Sequence, residues 1–216
     1  MILNLFGTMG SGKTLLATLL ALDYLESFPN NKIYANYHLN PEIFKNFTYN
    51  SLMLFDYESL ENCLLILDDI YAIKNKAFIG VIVNLSRKNN IHVIITAQYY
   101  TMVDKLIRSM SIVMYPEINR EKDYMFVSFL NPNQLTGQIR QKFYVKNLSR
   151  FFTKELYDTN EKVEFQLKSD IYREILKVST NMRMLEINCQ LAFSNKSDRK
   201  EAFKVLRERF SMENEL

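Results

Sequence analysis

The sequence predicts an α/β fold with a mainly parallel central sheet. Three observations carry that prediction. Short apolar runs alternate with helical stretches, a glycine cluster joins the first run to the first helix, and a later run ends in paired carboxylates. Of five glycines, Gly7, Gly10 and Gly12 fall within six residues, leaving Gly80 and Gly137 for the rest of the chain. Average usage of about 7% would give roughly fifteen, so backbone freedom is concentrated at one place.

Taken in order, Ile2 to Phe6 is a short apolar run ending at Gly7 and reads as a buried strand. Thr14 to Leu22 is rich in helix formers, and a helix runs to about Ser27, before the breaker cluster Phe28-Pro29-Asn30-Asn31. Lys32 to Tyr37 reads as a second strand, and Leu52 to Phe55 as a further short one. Cys63 to Leu67 is continuously apolar, as in a strand buried on both faces, and ends in Asp68-Asp69. Ile70 to about Lys88 has helical spacing, with Ile73, Ala77 and Val81 on one face. Ile91 to Thr96 reads as another buried strand, Met102 to Met110 as a short helix, and Ser111 to Tyr115 as the last core strand. Tyr124 to Leu130 and Gln138 to Val145 flank Asn131-Pro132-Asn133, which predicts a β-hairpin. From Asp170 onward the chain reads as helix with a polar break near Ser194 to Ser197.

Composition sets outer limits. The chain has 216 residues, 48% of them hydrophobic and 13% aromatic, enough to fill a real core. Disorder, collagen and a disulfide scaffold are excluded as dominant descriptions. Cys63 and Cys189 lie far apart without CxxC spacing, which suggests neither a disulfide framework nor a zinc site. No apolar run approaches the roughly 18 residues of a membrane span. Met1 to Phe6 is too short for a signal-peptide core. A soluble, intracellular protein is therefore expected. Residues 1–139 carry a charge balance of −1 and residues 140–216 one of +4. That basic C-terminal part suits a polyanionic partner and equally suits a solvated helical surface.

Gly7-Thr8-Met9-Gly10-Ser11-Gly12-Lys13-Thr14 fits GxxxxGK[ST] in full, with a predicted strand before it and a helix after it. Glycines let the backbone curl so that successive N–H groups point at phosphate oxygens. The helix that starts there aims its positive dipole end at the same anion. Lys13 would reach the β- and γ-phosphates of a nucleotide, ATP here, and the Thr14 hydroxyl would hold Mg²⁺. The domain expectation is thus a phosphate-loop (P-loop) ATPase core over residues 1–150, hairpin at about 122–146 included. A mostly helical extension over residues 151–216 follows.

Such a loop needs a partner that completes the metal site. The apolar strand ending in Asp68-Asp69 delivers carboxylates to the C-terminal edge of the sheet, where ligands bind in open α/β folds. Asp68 would hold Mg²⁺, directly or through water, and Asp69 would orient or deprotonate the attacking water. Asp69 also stands where a helix N-cap would. Thr96-Ala97-Gln98 ends the next strand, so Gln98 is the candidate that contacts the attacking water or the γ-phosphate; a polar strand terminator is the plainer alternative. Arg87 and Arg108 are the arginines nearest in sequence to these strand ends and are the candidate arginine fingers, with solvated surface as the alternative. Lys74, Lys76, Arg87 and Lys88, with Tyr99 and Tyr100 beyond, could touch a phosphate backbone or stack on bases. His38 and His92 are isolated and read as structural.

Six segments together carry a family resemblance over about residues 1–165. They are Leu3 to Thr14; Ile33-Tyr34-Ala35-Asn36-Tyr37; Leu65 to Asp69; Ser86-Arg87 before Val93 to Gln98; Val103 to Arg108; and Leu156-Tyr157-Asp158-Thr159-Asn160-Glu161. The chain resembles the viral and mobile-element packaging or assembly ATPases related to zonula occludens toxin, within the FtsK–HerA-like division. The resemblance implies a RecA-like (ASCE) P-loop core that hydrolyses ATP in an oligomeric ring, often a hexamer. Such relatives move DNA into a capsid or through a membrane port. It further implies that a strand inserted between the phosphate-loop strand and the acidic strand, here residues 32–37, marks the hydrolytic, ring-forming branch. Two features depart from the pattern: the second acid is Asp69 where the family usually has Glu, and the membrane span of filamentous-phage relatives is missing.

The resulting expectation is a soluble motor that packages double-stranded DNA. Its partners are further copies of the chain and a capsid or shell protein. Its place is the host cytoplasm, and the virion during assembly. Three rivals stay open: an assembly or secretion ATPase acting on virion proteins, a nucleotide switch with little turnover, and a small-molecule kinase.

Overall fold

The structure is a computed structural model that describes residues 1–50, 53–69, 82, 84, 86–130, 141–153, 155–157, 168–193 and 195–214. Contacts divide the chain into two compact units. One comprises residues 1–51 and 61–161, the other residues 52–60 and 162–216. The first unit extends past residue 150 because an antiparallel bridge from Tyr157 to Leu39 returns the chain to the sheet side.

The first unit runs β1 (Ile2–Phe6), α1 (Lys13–Ser27), β2 (Lys32–Ala35), β3 (Phe47–Tyr49), β4 (Cys63–Leu67), β5 (Ile91–Ala97), α2 (Lys105–Met110), β6 (Ile112–Asn119), β7 (Tyr124–Leu130), β8 (Gln141–Lys146) and α3 (Ser149–Thr153). Among the described residues these strands form one sheet in the order β3-β2-β4-β5-β1-β6-β7-β8. Pairing is parallel from β3 through β6 and antiparallel across β6, β7 and β8. The α/β class and the hairpin strands stand as expected.

Every residue of β1 and of β4 is buried. Such unbroken apolar runs are what a strand covered on both faces requires. Leu15, Leu16, Ala17 and Ala21 of α1 share a core with Leu3, Leu5, Leu64, Ile66 and Ile94 on one face of the sheet. At about 25 cal/mol per Å² of apolar surface, this burial is the main force holding loop and acidic strand end in register. On the hairpin, Met125 and Val127 face the same core.

Several expected elements differ. The sheet strand beside β2 is Phe47–Tyr49, whereas residues 53–55 of the apolar run Leu52 to Phe55 pair with no strand. Met53, Leu54 and Phe55 are buried nonetheless. Leu54 packs into the core of the second unit and Phe55 packs edge-on against Tyr57, without a backbone ladder. The helix expected from Met102 starts at Lys105, where Asp104 caps it by accepting from Leu106 N at 2.7 Å; Tyr100–Met102 form a separate 3₁₀ turn. The strand that separates β1 from β4 in the sheet is β5, not residues 32–37, which lie outside β4. Of the helix expected over residues 70–88, positions 82, 84 and 86–88 are helical. Ile73, Lys74, Lys76, Ala77, Gly80, Val81, the turn Asn131-Pro132-Asn133, Gly137 and Asp158 to Glu161 lie outside the described residues.

The second unit holds α4 (Lys168–Val178), α5 (Met182–Ala192) and α6 (Lys196–Asn214), so the predicted helix is broken at residues 179–181 as well as after Ala192. Ile175, Leu185, Cys189, Phe193, Ala202 and Leu206 form its core together with Leu54. The stretch around Leu54 is stitched to the helices by polar groups. Asn188 Nδ2 donates to Phe55 O at 3.2 Å, and Asn181 Nδ2 donates to Glu58 Oε2 at 3.0 Å while its Oδ1 caps α5.

Candidate nucleotide site

The loop Gly7 to Thr14 joins β1 to α1 at the C-terminal edge of the parallel strands. Gly12 caps the helix in the left-handed region at φ 97°, and a Cβ there would stand 2.7 Å from Ile118 Cδ1. Gly10 is left-handed too, at φ 79°. Side chains at either place are strained by about 1–3 kcal/mol. Lys13 is buried, and its Nζ donates to Gly7 O at 3.1 Å and Thr8 O at 3.2 Å, so the ammonium is folded onto its own loop. Ser11 Oγ is buried with no partner in the protein. A buried cation and an orphaned hydroxyl in one loop are the donor set that a phosphate group satisfies.

Opposite the loop, Asp68 follows β4. Its carboxylate accepts from Thr14 Oγ1 at 3.1 and 3.2 Å and from Thr96 Oγ1 at 2.7 Å. Its backbone is clamped by Asn36, which accepts from Asp68 N at 2.7 Å and donates to Asp68 O at 2.9 Å. Burial pushes the Asp68 carboxyl above its ordinary value. The Asp69 charge adds to the push, while the Thr96 and Thr14 hydrogen bonds and Lys13 oppose it. A carboxylate in this position favours a nearby cation. Thr14 and Asp68 are hard oxygen ligands, and their pairing suits Mg²⁺, which takes one or two carboxylates and keeps several waters. Among the described residues no group of three or more His, Cys, Asp or Glu side chains could hold a metal.

Asp69 is exposed, with its backbone left-handed at φ 49° and its N–H donating to Thr96 Oγ1 at 2.7 Å. One hydroxyl thus serves both acids, donating to the first and accepting from the second. The β1–β5 register pairs Phe6 with Ala97, so half-buried Gln98 follows directly beside Gly7 at the same edge. Lys13, Thr14, Asp68, Asp69 and Gln98 therefore all come to the C-terminal edge of the sheet.

The arginines divide. Arg87 is exposed at the end of residues 86–88, just before Asn89, whose carbonyl accepts from Asn62 N ahead of β4. That is the N-terminal edge, a strand length of about 20 Å from the loop, so the fold does not bring Arg87 to its own chain's site. Arg108 reaches the other way: its guanidinium lies 4.2 Å from the Tyr100 ring centre, and Tyr100 packs edge-on against Phe6, the residue before Gly7.

Sequence reasoning left several neighbours without a role. Asn36 and Thr96 hold Asp68. Tyr37 OH pairs with Thr18 Oγ1 at 2.9 Å, and Thr18 also donates to Thr14 O. Tyr157 packs edge-on to Tyr37, and its hydroxyl is pushed up by burial and by the Asp68 charge. The available signal was the polar termination of two apolar strands, Asn36-Tyr37 and Thr96.

A glycine-rich loop around a buried lysine, facing a carboxylate at the edge of a mainly parallel sheet, defines a P-loop nucleoside triphosphatase. The sequence matches the model of the ATPase family associated with various cellular activities (AAA) over residues 3–117, more than half of the chain. The chain belongs to that family and is an ATP-binding, ATP-hydrolysing enzyme. Comparison with curated proteins returns no match.

Among solved structures it is similar to the N-terminal domain of zonular occludens toxin from Neisseria meningitidis, at 15% identity and TM-score 0.46, covering 73% of this chain and 98% of that one. It is similar to the DNA-packaging ATPase of Sulfolobus turreted icosahedral virus, at 15% identity and TM-score 0.42, covering 64% and 95%. It is also similar to the flagellar accessory protein FlaH of Methanocaldococcus jannaschii, at 12% identity and TM-score 0.46, covering 67% and 84%. Among the described residues no helix is long and apolar enough to cross a membrane.

Proposed function

We propose that this ATPase is a ring-forming motor that moves double-stranded DNA and packages a viral genome into a capsid shell. One observation supports the reading above the others: convergence on Asp68. Thr14 lies 54 residues from it in sequence and 3.1 Å from it in space. The other side chains that hold it, Asn36 and Thr96, belong to two of the six sequence segments behind the resemblance to viral packaging ATPases. The rest of those segments, Tyr37 and Gln98, stands at the same edge.

In this reading Lys13 leaves the Gly7 and Thr8 carbonyls and bridges the β- and γ-phosphates of ATP. Thr14 and Asp68 would hold Mg²⁺, which when bound offsets charge on the phosphate oxygens. Asp69, held by Thr96 beside Asp68, takes the proton of the attacking water. Gln98 contacts that water or the γ-phosphate. Arg108, stacked on Tyr100 beside Phe6, is the candidate finger on the phosphate-loop side, and Arg87 reaches a nucleotide only across a subunit boundary in a homo-oligomeric ring. The host cytoplasm, and the virion during assembly, is the place where such a motor works.

The test is ATP turnover with and without double-stranded DNA across a salt series. Turnover is expected to rise with duplex DNA, and the logarithm of DNA affinity to fall linearly with log salt as phosphates are neutralised. Stimulation by a virion protein and not by DNA would replace this reading with an assembly ATPase. Nucleotide-dependent partner binding without turnover would replace it with a switch.

A further inference from the structure

We propose that the outer face of the antiparallel ladder β7–β8 binds single-stranded nucleic acid, with bases stacked on Tyr144, Phe126 and Tyr124 and phosphates held by Lys142 and Lys146. This goes beyond the duplex motor and does not rest on it.

The pairing register carries the argument. Tyr124 stands opposite Lys146, Phe126 opposite Tyr144, and Ser128 opposite Lys142, so alternation puts all of these on one face. The other face carries buried Met125 and Val127, with Phe143 and Val145 packed against the same core. That inner face already meets the hydrophobic requirement of the ladder. The solvent face of an antiparallel sheet is ordinarily polar, yet this one presents a row of rings. Tyr144 is 58% exposed, with half-buried Tyr124 and Phe126 beside it. Its centre lies 5.6 Å from Tyr124 and 5.3 Å from Phe126. Lys142 Nζ lies 5.2 Å from the Phe126 ring centre, on the same face.

Two lysines flank the rings, and one exposed carboxylate, Glu117 opposite Phe126 across β6–β7, lies on the same face. The charge balance of the face stays positive and complements a strand whose bases are free and whose backbone is anionic. Each base can lay its π-face on an aromatic ring while the lysines meet phosphates. Duplex DNA hides the faces of its bases and offers this row only its phosphates. On the same side of the sheet, Tyr115 packs 6.0 Å from Phe6, which precedes Gly7, so the row of rings leads toward the phosphate loop.

The experiment is fluorescence anisotropy of the full chain with labelled oligo-dT, oligo-rU and a DNA duplex of equal length, with oligomer mass recorded alongside. The single strands are expected to bind more tightly than the duplex, and the dT and rU arms report whether DNA or RNA is preferred. Tyr144→Ala is expected to weaken single-strand binding about fivefold or more, and Tyr144→Phe to preserve it. Lys142→Ala is expected to lower the slope of log K against log salt by about one. Tyr144 lies outside the nucleotide site, so ATP turnover without nucleic acid stays at the wild-type rate in Tyr144→Ala. Loss of strand binding and loss of the motor chemistry are thereby read separately. Wild-type single-strand binding by Tyr144→Ala, or duplex bound as tightly as single strand, overturns the proposal. A changed oligomer mass with unchanged strand binding also overturns it and makes this face a contact between copies.

Discussion

Thr96 shows how much one hydroxyl can organise. It donates to Asp68 Oδ1 and accepts from Asp69 N, both at 2.7 Å. Thr96→Val keeps the shape and leaves both partners one bond short, at a cost of about 1–3 kcal/mol because one of them is an ionised or strained group. Chemical denaturation should show that loss, and ATP affinity should fall with it; an unchanged midpoint would mean the two acids are held by something else. The two thiols offer a contrasting check. Cys63 on β4 and Cys189 on α5 are buried, and burial pushes each thiol up to about 12. A thiol with so little thiolate is inert. In the native protein at about pH 8 neither should react with a disulfide reagent, and both should react once the chain is unfolded. Fast native labelling of either would contradict the packing described for β4 or α5. At this scale the sequence was informative where spacing carries the chemistry. Lys13, Thr14 and Asp68 were legible because loop motif and strand end each have a fixed form. Asn36, Thr96 and Tyr157 were not assigned, because a polar residue ending a strand looks the same whether it caps the strand or clamps a carboxylate.

At the scale of elements, continuous apolar runs named β1, β4 and β5 almost to the residue, since strands buried on both faces leave no ambiguity of period. The same rule misassigned Met53 to Phe55. An apolar run states that side chains are buried, not that the backbone is paired, and here Leu54 is buried among the helices of the second unit. Leu54→Ala should therefore cost that unit about 2–5 kcal/mol, seen as a shifted urea midpoint of its helical signal. A cost below about 0.5 kcal/mol, typical of surface substitutions, would show the segment to be a mere linker. The short helix α2 illustrates a boundary set by a cap: Asp104 fixes its start three residues later than apolar spacing alone suggested.

For the molecule as a whole, strand order was the least legible property. Nothing local tells that β5 lies between β1 and β4, because order follows from pairings across tens of residues. That order brings Gln98 and Thr96 between the phosphate loop and the acidic pair, and it carries Arg87 to the far edge. The sheet unit reaches residue 161 and the helical unit takes in residues 52–60, bounds that the change from alternating to helical pattern did not mark. In the proposed mechanism the acidic pair facing the loop drives hydrolysis, with Asp69 taking the proton of the attacking water. The most direct measurement is the steady-state rate of ATP hydrolysis by Asp69→Asn beside wild type, with ATP binding measured in the same samples. Binding is expected near the wild-type level and the rate lower by about 10²–10⁴-fold, the contribution of a general base. Hydrolysis by Asp69→Asn at the wild-type rate would contradict it.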